Sequence, residues 1–261
     1  MLSLEQIESF YPENLRIYKR NLLREYLQYI ILEIIYRSKY GKYLIFMGGT
    51  AIHIVHGNQR FSEDLDFDNQ GLNKEDFSGL SEEIRKRLAL LGYYAEVNNK
   101  YGNAFRCLIK FPGLLHTYGL SGQRREKLMI QLDTEPQNID YQSQSILLSN
   151  FDILLKIRAT PADILLSQKI LAILKRNRAM GRDFHDVLFL FSKTKPNYSY
   201  LQEKMKLEKG NSVTQIRERL LNKCQELNLD KLSEDVRPFL FHPDDAQKIF
   251  LFSDFIQQKM K

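Results

Sequence analysis

The chain has 261 residues, and its 38 Lys and Arg against 32 Asp and Glu leave a formal charge of +6. Hydrophobic residues make up 43% of it and charged residues 27%, which are the proportions of an ordinary globular protein and exclude wholesale disorder. The two cysteines, Cys107 and Cys224, are too few for a disulfide scaffold or a cysteine-rich zinc site. We expect both to be small buried side chains in a reducing compartment.

The start of the chain lacks the pattern of a secretion signal, because Glu5 and Glu8 stand where such a signal is basic. The longest apolar run, 29–32, is stopped by Glu33 and is far shorter than the ~20 residues that a membrane span requires. We therefore expect a cytoplasmic protein without a membrane partner.

The periodicity of apolar residues predicts an α/β fold for the first part of the chain. Apolar residues recur at steps of three and four over 14–38, which predicts a long amphipathic helix. A short buried strand over 43–47 leads into Gly48-Gly49-Thr50, where a helix begins. A second long helix is predicted over 74–91, with Gly92 at its C-cap. Further strands are predicted over 64–68, 93–97, 104–111 and 127–132.

After about Thr160 the pattern changes to helices alone. These are predicted over 162–178, 182–192, 198–207, 212–227 and 244–261. We therefore expect two parts. Residues 1–150 form an α/β core with a long N-terminal helix, and residues 151–261 form an all-helical subdomain that closes over a cleft.

Three carboxylates stand out by their positions. Asp64 and Asp66 are two residues apart on a predicted strand, so their side chains leave the same face. Asp133 ends another strand on the face opposite its apolar side chains, and Glu135 is the alternative third acid. If the two strands are neighbours, the carboxylates converge, and oxygen ligands of this kind suit Mg²⁺ or Mn²⁺. A strand edge that is merely acidic and solvated is the competing interpretation.

The Gly-Gly-Thr turn upstream favours the first interpretation. Gly48 and Gly49 allow backbone N–H groups to approach an anion closely, and the helix predicted to follow them, over 51–56, points its positive end at the same place. Ser62 either hydrogen-bonds a phosphate or a metal-bound water, or it caps the turn before the acidic strand. One part of this unit would hold a phosphate, and the other would hold the metal that bridges it.

These segments resemble a known family. Residues 46–52, Phe-Met-Gly-Gly-Thr-Ala-Ile, and 60–67, Arg-Phe-Ser-Glu-Asp-Leu-Asp-Phe, closely resemble the signature of the AbiEii/AbiGii-type nucleotidyltransferase toxins. That family belongs to the polymerase-beta-like nucleotidyltransferase superfamily. Relatives often carry a lysine directly before the two glycines, where this chain has Met47.

A helical motif of the family also has a counterpart in this chain. The family pattern of Lys-x-x-Ala, then Arg, then Arg-Asp-x-x-Asp resembles Lys169–Ala172, Arg176 or Arg178, and Arg182–Asp186. Lys169, Arg176 and Asp183 are seven residues apart, which places them on one stripe of a helix if the helix is continuous. Such a stripe would supply cations to a triphosphate, and a solvated basic face is the alternative.

The resemblance implies a fold, an activity and a site. The fold is a polymerase-beta-like α/β core, a small mixed sheet flanked by helices. The activity is Mg²⁺- or Mn²⁺-dependent transfer of a nucleoside monophosphate from an NTP to an RNA, with the 3′ end of tRNA as the acceptor of some relatives. The chain would be the toxin of a toxin–antitoxin pair and would have a cognate antitoxin as its partner. Transfer to a protein hydroxyl and a non-catalytic nucleotide-binding module are the alternatives.

The resemblance also assigns roles to residues. The expected catalytic residues and metal ligands are Asp64 and Asp66, with Lys169 as a further catalytic group. Asp133 joins them as the third carboxylate by inference from strand phase, because the family has no sharp signature for it. The expected phosphate-binding residues are Gly48, Gly49, Thr50, Ser62, Lys169 and Arg182, and the supporting residues are Arg60, Arg178, Asp183 and Asp186.

Overall fold

The structure, a computed structural model, describes residues 1–207 and 212–260. Its contacts divide the chain into two compact units. The first unit comprises Met1–Ala51, Phe61–Asn138 and Ser143–Ala159, and the second comprises Ile52–Arg60, Ile139–Gln142 and Thr160–Lys261. The first unit therefore continues beyond residue 150.

The first part of the chain supplies one sheet and the helices that flank it. The strands are β1 (Leu44–Met47), β2 (Leu65–Asn69), β3 (Glu96–Lys100), β4 (Phe105–Pro112), β5 (Lys127–Glu135), β6 (Gln144–Asn150) and β7 (Ile153–Ala159). The helices are α1 (Leu4–Ser9), α2 (Lys19–Arg37), α3 (Gly48–Ile54), α4 (Lys74–Leu90) and α5 (Leu114–Thr117). Single 3₁₀ turns occupy Glu13–Leu15 and Gly41–Tyr43.

The seven strands form a mixed sheet in the order β3-β4-β5-β2-β1-β7-β6. Strand β2 lies in the centre, antiparallel to β1 and parallel to β5. Strands β1 and β7 are also parallel to each other. This mixed sheet with flanking helices confirms the predicted fold class.

Helix α2 is buried on nearly all sides. The prediction of an amphipathic helix with one solvent-exposed face was therefore wrong. The helix packs on strands β5 and β7 and also contacts α1 and α4. Even the polar side chains of Glu25 and Gln28 are buried. The helix also starts at Lys19 rather than at residue 14, because a separate 3₁₀ turn follows Pro12.

Two strands were missed, and one was misplaced. Burial alternates along β7, but the turn that joins it to β6 places Phe151 at positive φ beside Asp152, and phenylalanine is not a usual turn residue. Phe151 is buried against the rings of Phe10, Tyr11, Tyr26 and Tyr29. Strand β3 begins at Glu96 rather than at residue 93.

The second unit is largely helical, as the sequence predicts. Its helices are α6 (Ala162–Lys175), α7 (Gly181–Phe191), α8 (Tyr198–Met205), α9 (Ser212–Gln225), α10 (Leu229–Val236) and α11 (Phe252–Lys259). Helix α10 was missed, and its N-cap is Asn228. The single helix predicted over 244–261 is a 3₁₀ segment, Pro243–Leu251, followed by α11, and another 3₁₀ turn spans Arg237–Phe239.

Both cysteines are buried and form no disulfide, in agreement with the prediction. Burial raises the pKa of the Cys107 thiol to about 11, so it remains protonated at neutral pH. Within the described part of the chain, no helix combines the length and the apolar composition that crossing a bilayer requires.

Gly181, at the start of α7, allows a close approach between two helices. A Cβ atom built there would lie 1.9 Å from the backbone oxygen of Leu232 in α10. Because a backbone oxygen cannot move aside as a side chain can, we expect Gly181→Ala to lower the free energy of unfolding by about 1–3 kcal/mol. Urea denaturation measures this change.

Gly122→Ala is the matched control, since a Cβ at Gly122 has no atom within 4 Å and the residue does not have positive φ. It should leave the free energy of unfolding unchanged or slightly raised. Equal stability of the two variants would contradict the close packing of α7 on α10.

Candidate functional site

Two of the predicted acids meet at the centre of the sheet. Strands β2 and β5 are parallel neighbours, and their register places Asp66 directly opposite Asp133. Both side chains are partly exposed. The alternative third acid, Glu135, lies opposite Asp68 instead. The register therefore places Asp133, and not Glu135, beside Asp66.

Strand β2 begins at Leu65, so Asp64 precedes the strand rather than lying on it as predicted. Asp68 differs from Asp66, the other acid of β2, because it is fully buried. Its Oδ1 accepts the backbone N–H of Gln137 at 2.9 Å, and its Oδ2 accepts the side-chain amide of Gln70 at 2.9 Å. These contacts make Asp68 a structural group. The partly exposed acids at this place in the first unit are Asp64, Asp66 and Asp133.

An arginine that the sequence analysis missed neutralises part of this charge. Strand β4 places Arg106 opposite Asp133, and the guanidinium binds both carboxylate oxygens, with Nε–Oδ1 at 2.8 Å and Nη2–Oδ2 at 3.0 Å. The hydrogen bond and charge of Asp133, together with the charges of Asp64 and Asp66, raise the pKa of Arg106. The negative charges of all three acids therefore act on the guanidinium of Arg106.

Gly48 lies against the Asp66 carboxylate. It has a φ of +76°, which favours glycine, and a Cβ built on it would lie 2.1 Å from Oδ2 and 2.8 Å from Cβ of Asp66. The space that a side chain would need is therefore filled by Asp66. The first glycine of the turn thus has a steric role beside its predicted phosphate-binding role.

Thr50 and Ser62 hold the backbone around Asp64. The buried Thr50 hydroxyl donates a hydrogen bond to the carbonyl oxygen of Asp64, which joins the first turn of α3 to the start of β2. The carbonyl oxygen of Ser62 accepts the side-chain amide of Gln28 at 3.1 Å. These contacts position Asp64, and they leave the predicted phosphate contacts of Thr50 and Ser62 untested.

The chemistry of these donors fits a hard cation such as Mg²⁺ or Mn²⁺, because every side-chain donor is a carboxylate oxygen. The arrangement does not form a closed metal cage. Across residues 1–207 and 212–260, no three His, Cys, Asp or Glu side chains are placed as a metal-binding group. Asp133 is held by Arg106, so the arginine competes for the same oxygens that a bound cation would use.

The helical motif of α6 and α7 forms a separate ion-pair cluster inside the second unit. Asp186 of α7 is fully buried. Its carboxylate accepts two hydrogen bonds from Arg60, one from Nε and one from Nη2, both at 2.6 Å. Asn58 donates to the same carboxylate at 2.8 Å, and Lys169 of α6 lies 2.9 Å from Oδ2. We call Asn58, Arg60, Lys169, Asp183 and Asp186 the buried cluster.

Lys169 joins both aspartates of the buried cluster. Its Nζ also lies 2.9 Å from Oδ1 of Asp183. Arg176 pairs with Oδ2 of Asp183 at 2.9 Å, whereas Arg178 is exposed and lies 3.9 Å from Asp235. Arg176 is thus the arginine that contacts the motif.

Arg182 is placed differently from the buried cluster. Its guanidinium lies over the ring of Phe239, 4.4 Å from the centroid. A guanidinium on an aromatic face is a cation–π contact. The predicted phosphate contact of Arg182 stays a prediction.

The charges of the buried cluster stabilise one another. Burial alone would raise the pKa of Asp186, but the charges of Arg60 and Lys169 hold it well below its usual range. Burial alone would lower the pKa of Lys169, and Asp183 and Asp186 raise it. Removing one partner of such a buried pair costs about 3–5 kcal/mol, because the other charge is left uncompensated.

Comparisons with known proteins identify the family of this chain and support its fold. Residues 30–250 match the model of a family described as nucleotidyl transferase AbiEii toxin, type IV toxin–antitoxin system. The solved structure of JHP933 from Helicobacter pylori has a TM-score of 0.55 and 16% identity, and the match covers 92% of this chain and 93% of that one. A second H. pylori structure, of a protein proposed to be a nucleotidyltransferase, has the same TM-score and identity, with 92% and 95% covered. The search of curated protein sequences gives no match.

Gly48→Ala tests the contact between the glycine turn and Asp66. A Cβ would collide with the Cβ of Asp66 as well as with its carboxylate, so rotation of the Asp66 side chain alone cannot relieve the clash. We expect a loss of about 1–3 kcal/mol in the free energy of unfolding from the clash, in addition to the cost of positive φ. Urea denaturation measures the loss.

The control is Gly119→Ala, because Gly119 has a similar φ of +67° but no atom within 4 Å of the added Cβ. It should cost only about 1–2 kcal/mol, which is the cost of a left-handed conformation. If both variants lost the same stability, Asp66 would not lie against Gly48.

Proposed function

The chain belongs to the AbiEii nucleotidyltransferase toxin family, and from this premise we propose that it transfers the nucleoside monophosphate of an NTP to an RNA, with the 3′ end of tRNA as the acceptor. The observation that carries the proposal is the placement of Asp66 directly opposite Asp133 on parallel strands. Membership in a family of type IV toxins also implies an antitoxin partner.

We propose Mg²⁺ or Mn²⁺ as the cofactor, held by Asp64, Asp66 and Asp133. What supports this assignment is that Asp66 lies directly opposite Asp133 and that all three side chains offer the carboxylate oxygens that Mg²⁺ and Mn²⁺ prefer. When bound, such a metal lowers the pKa of an attacking hydroxyl and stabilises the charge of the departing pyrophosphate. Positioning and charge stabilisation supply most of the rate in reactions of this type.

The residues around the acids have complementary roles in this proposal. Backbone N–H groups of Gly48, Gly49 and Thr50 bind phosphate oxygens at the start of α3. The Thr50 hydroxyl keeps Asp64 in place through its carbonyl oxygen. Ser62 adds a hydroxyl near the start of β2, where it can hydrogen-bond a phosphate.

Lys169 and Arg182 are the proposed cationic phosphate ligands. A lysine ammonium has three N–H donors, and Asp183 and Asp186 account for two at Lys169, so one remains for a ligand. The two aspartates and Arg60 act on substrate through Lys169, which makes them positioning residues. Arg178 has no such contact with Lys169 in the structure, and its supporting role stays a proposal.

The choice of RNA as the acceptor rests on the family resemblance and on charge. A formal charge of +6 attracts a polyanion, and phosphate contacts dominate the affinity of proteins for nucleic acids. A protein hydroxyl remains the second acceptor to test. The two acceptors are distinguished by which molecule becomes labelled.

The decisive experiment incubates the purified chain with a divalent metal, each α-labelled NTP in turn, and total bacterial RNA. We expect a labelled RNA band with the natural chain. Asp66→Asn and Asp133→Asn should each lower transfer by more than about 100-fold, because each removes a charge that the reaction requires. A labelled protein band would move the acceptor to a protein hydroxyl.

Glu135→Gln is the matched control for Asp133→Asn, because both acids lie on β5 but Glu135 is opposite Asp68. It should retain transfer within about twofold, since an exposed acid outside the site contributes little. Loss of transfer in Glu135→Gln with retention in Asp133→Asn would contradict the assignment of the third carboxylate.

Arg106→Gln tests the competition between the arginine and a metal ion. A unit positive charge and a divalent cation that share one carboxylate repel each other by roughly 1.4 kcal/mol even in a water-like dielectric, which is about tenfold in affinity. We therefore expect Arg106→Gln to bind Mn²⁺ about tenfold more tightly. Electron paramagnetic resonance of free Mn²⁺ measures this affinity without reference to catalysis.

Arg85→Gln is the control for this change. Arg85 also binds a carboxylate, that of Glu82, through Nε and Nη2, and its side chain has the same exposed fraction as Arg106, 47%. The affinity for Mn²⁺ should not change in this variant. Unchanged or weaker Mn²⁺ binding by Arg106→Gln would show that Arg106 does not oppose the metal.

A further inference from the structure

The second unit contains a cavity of about 440 Å³ that has no role in the function proposed above. Most of its wall is apolar, formed by Leu188 and Phe189 of α7 and by Leu251 and Phe255 near the end of the chain. Ligand pockets in proteins are commonly of this size, mostly apolar, with a few polar groups that orient the ligand. The cavity therefore has the character of a small-molecule site.

Two buried polar atoms in residues that line the cavity have no hydrogen-bond partner in the described structure. They are Nδ1 of His185 and Oδ1 of Asn58. The side chains are 8% and 1% exposed, respectively. A buried polar atom without a partner costs about 1–3 kcal/mol, so a ligand that supplies partners recovers this energy.

The orientation of Asn58 defines what it requires from a ligand. Its Nδ2 donates to Asp186 at 2.8 Å, and a carboxylate can only accept, so the amide cannot be reversed without loss of this bond. The atom without a partner is therefore the amide oxygen. A group that pairs with it must carry an N–H or O–H donor.

The charged groups at the cavity favour a neutral ligand. Burial lowers the pKa of His185 to about 4, so its ring is neutral at pH 7. The ammonium of Lys248 at the edge of the cavity is paired with Asp245 at 2.9 Å. A neutral imidazole nitrogen can donate or accept, depending on its tautomer, and it pairs with either kind of ligand atom.

We propose that this cavity binds the base of a nucleoside, a flat neutral ring whose N–H group donates to Asn58 and whose adjacent polar atom pairs with His185. Phe189 and Phe255 supply aromatic surface, and a base stacked on an aromatic side chain gains about 1–3 kcal/mol. The proposal rests on the proposed function only in the choice of nucleosides as ligands. It requires neither the metal nor the carboxylates of the first unit.

Isothermal titration of the full chain with adenosine, guanosine, cytidine and uridine, each in EDTA, tests the proposal. Nucleosides lack phosphate, and EDTA removes divalent metal, so the predicted phosphate and metal ligands cannot account for binding. We expect at least one nucleoside to bind with a dissociation constant of about 1 mM or tighter. Absence of binding by all four would overturn the proposal.

Leu251→Trp provides the main variant, because Leu251 lines the cavity but is 61% exposed, so a larger side chain there does not disturb the core. It should weaken nucleoside binding at least about tenfold by filling the cavity. Leu154→Trp is the matched control, since Leu154 is also 61% exposed but lies on β7. Equal affinity in the two variants would overturn the assignment of the cavity.

His185→Phe tests the polar contact separately, with a ring of similar shape that cannot hydrogen-bond. We expect it to weaken binding about tenfold while the chain remains folded, as judged by circular dichroism. Unchanged nucleoside affinity in this variant would overturn the proposed pairing with His185. If His185→Phe unfolds, the nucleoside affinities of Leu251→Trp and Leu154→Trp decide whether the cavity is the binding site.

Asp66→Asn separates the failure of this proposal from the failure of the proposed function. The variant should lose nucleotidyl transfer and keep the nucleoside affinity of the natural chain. If it loses nucleoside affinity instead, the nucleoside is bound at the acidic residues, and the cavity proposal is wrong while the proposed function stands.

The base has two possible sources, an NTP or an RNA, and displacement distinguishes them. A bound nucleoside that is displaced by an NTP in EDTA assigns the cavity to the nucleotide donor. Displacement by a short RNA oligonucleotide instead assigns it to the acceptor. Displacement by neither would overturn the assignment to a substrate base.

Discussion

A single buried carboxylate, that of Asp186, is the group on which the second unit depends. Arg60 supplies two donors to it, and Asn58 and Lys169 supply one each. A charge inside a protein is tolerated only when it is paired and hydrogen-bonded, so these side chains must be buried together or not at all. The segment 52–60 and helices α6 and α7 are joined in this way, which explains why charged residues recur in the motif.

The acids of the first unit are balanced by a different kind of contact. Asp133 is paired with Arg106, but both side chains are partly exposed, and solvent screens their attraction. Another cation can therefore take the place of Arg106 at Asp133, in contrast to the ion pairs of the buried cluster. A soluble cation can replace an exposed arginine at a carboxylate, whereas nothing in solution can replace Arg60 at Asp186.

Features that depend on local pattern could be predicted from the sequence, and features that depend on distant contacts could not. Alternation along β2 and β5 places Asp66 and Asp133 correctly, and the glycine turn is found by its residues alone. Arg106 was missed because its contact depends on the register between β4 and β5, which no local pattern reveals. Strand β7 was missed because a buried Phe151 at positive φ closes its turn, and tertiary packing on aromatic rings stabilises that conformation.

The strand order also determines when the acidic site can form during synthesis. Strand β2 is completed early, but its partner β5 ends only at Glu135, about halfway along the chain. A chain that is made from its N-terminus therefore carries Asp66 without Asp133 until all the residues between them have been joined, and pairings between distant strands form slowly thereafter. A toxic enzyme built in this order cannot assemble its carboxylates while it is still a short nascent chain.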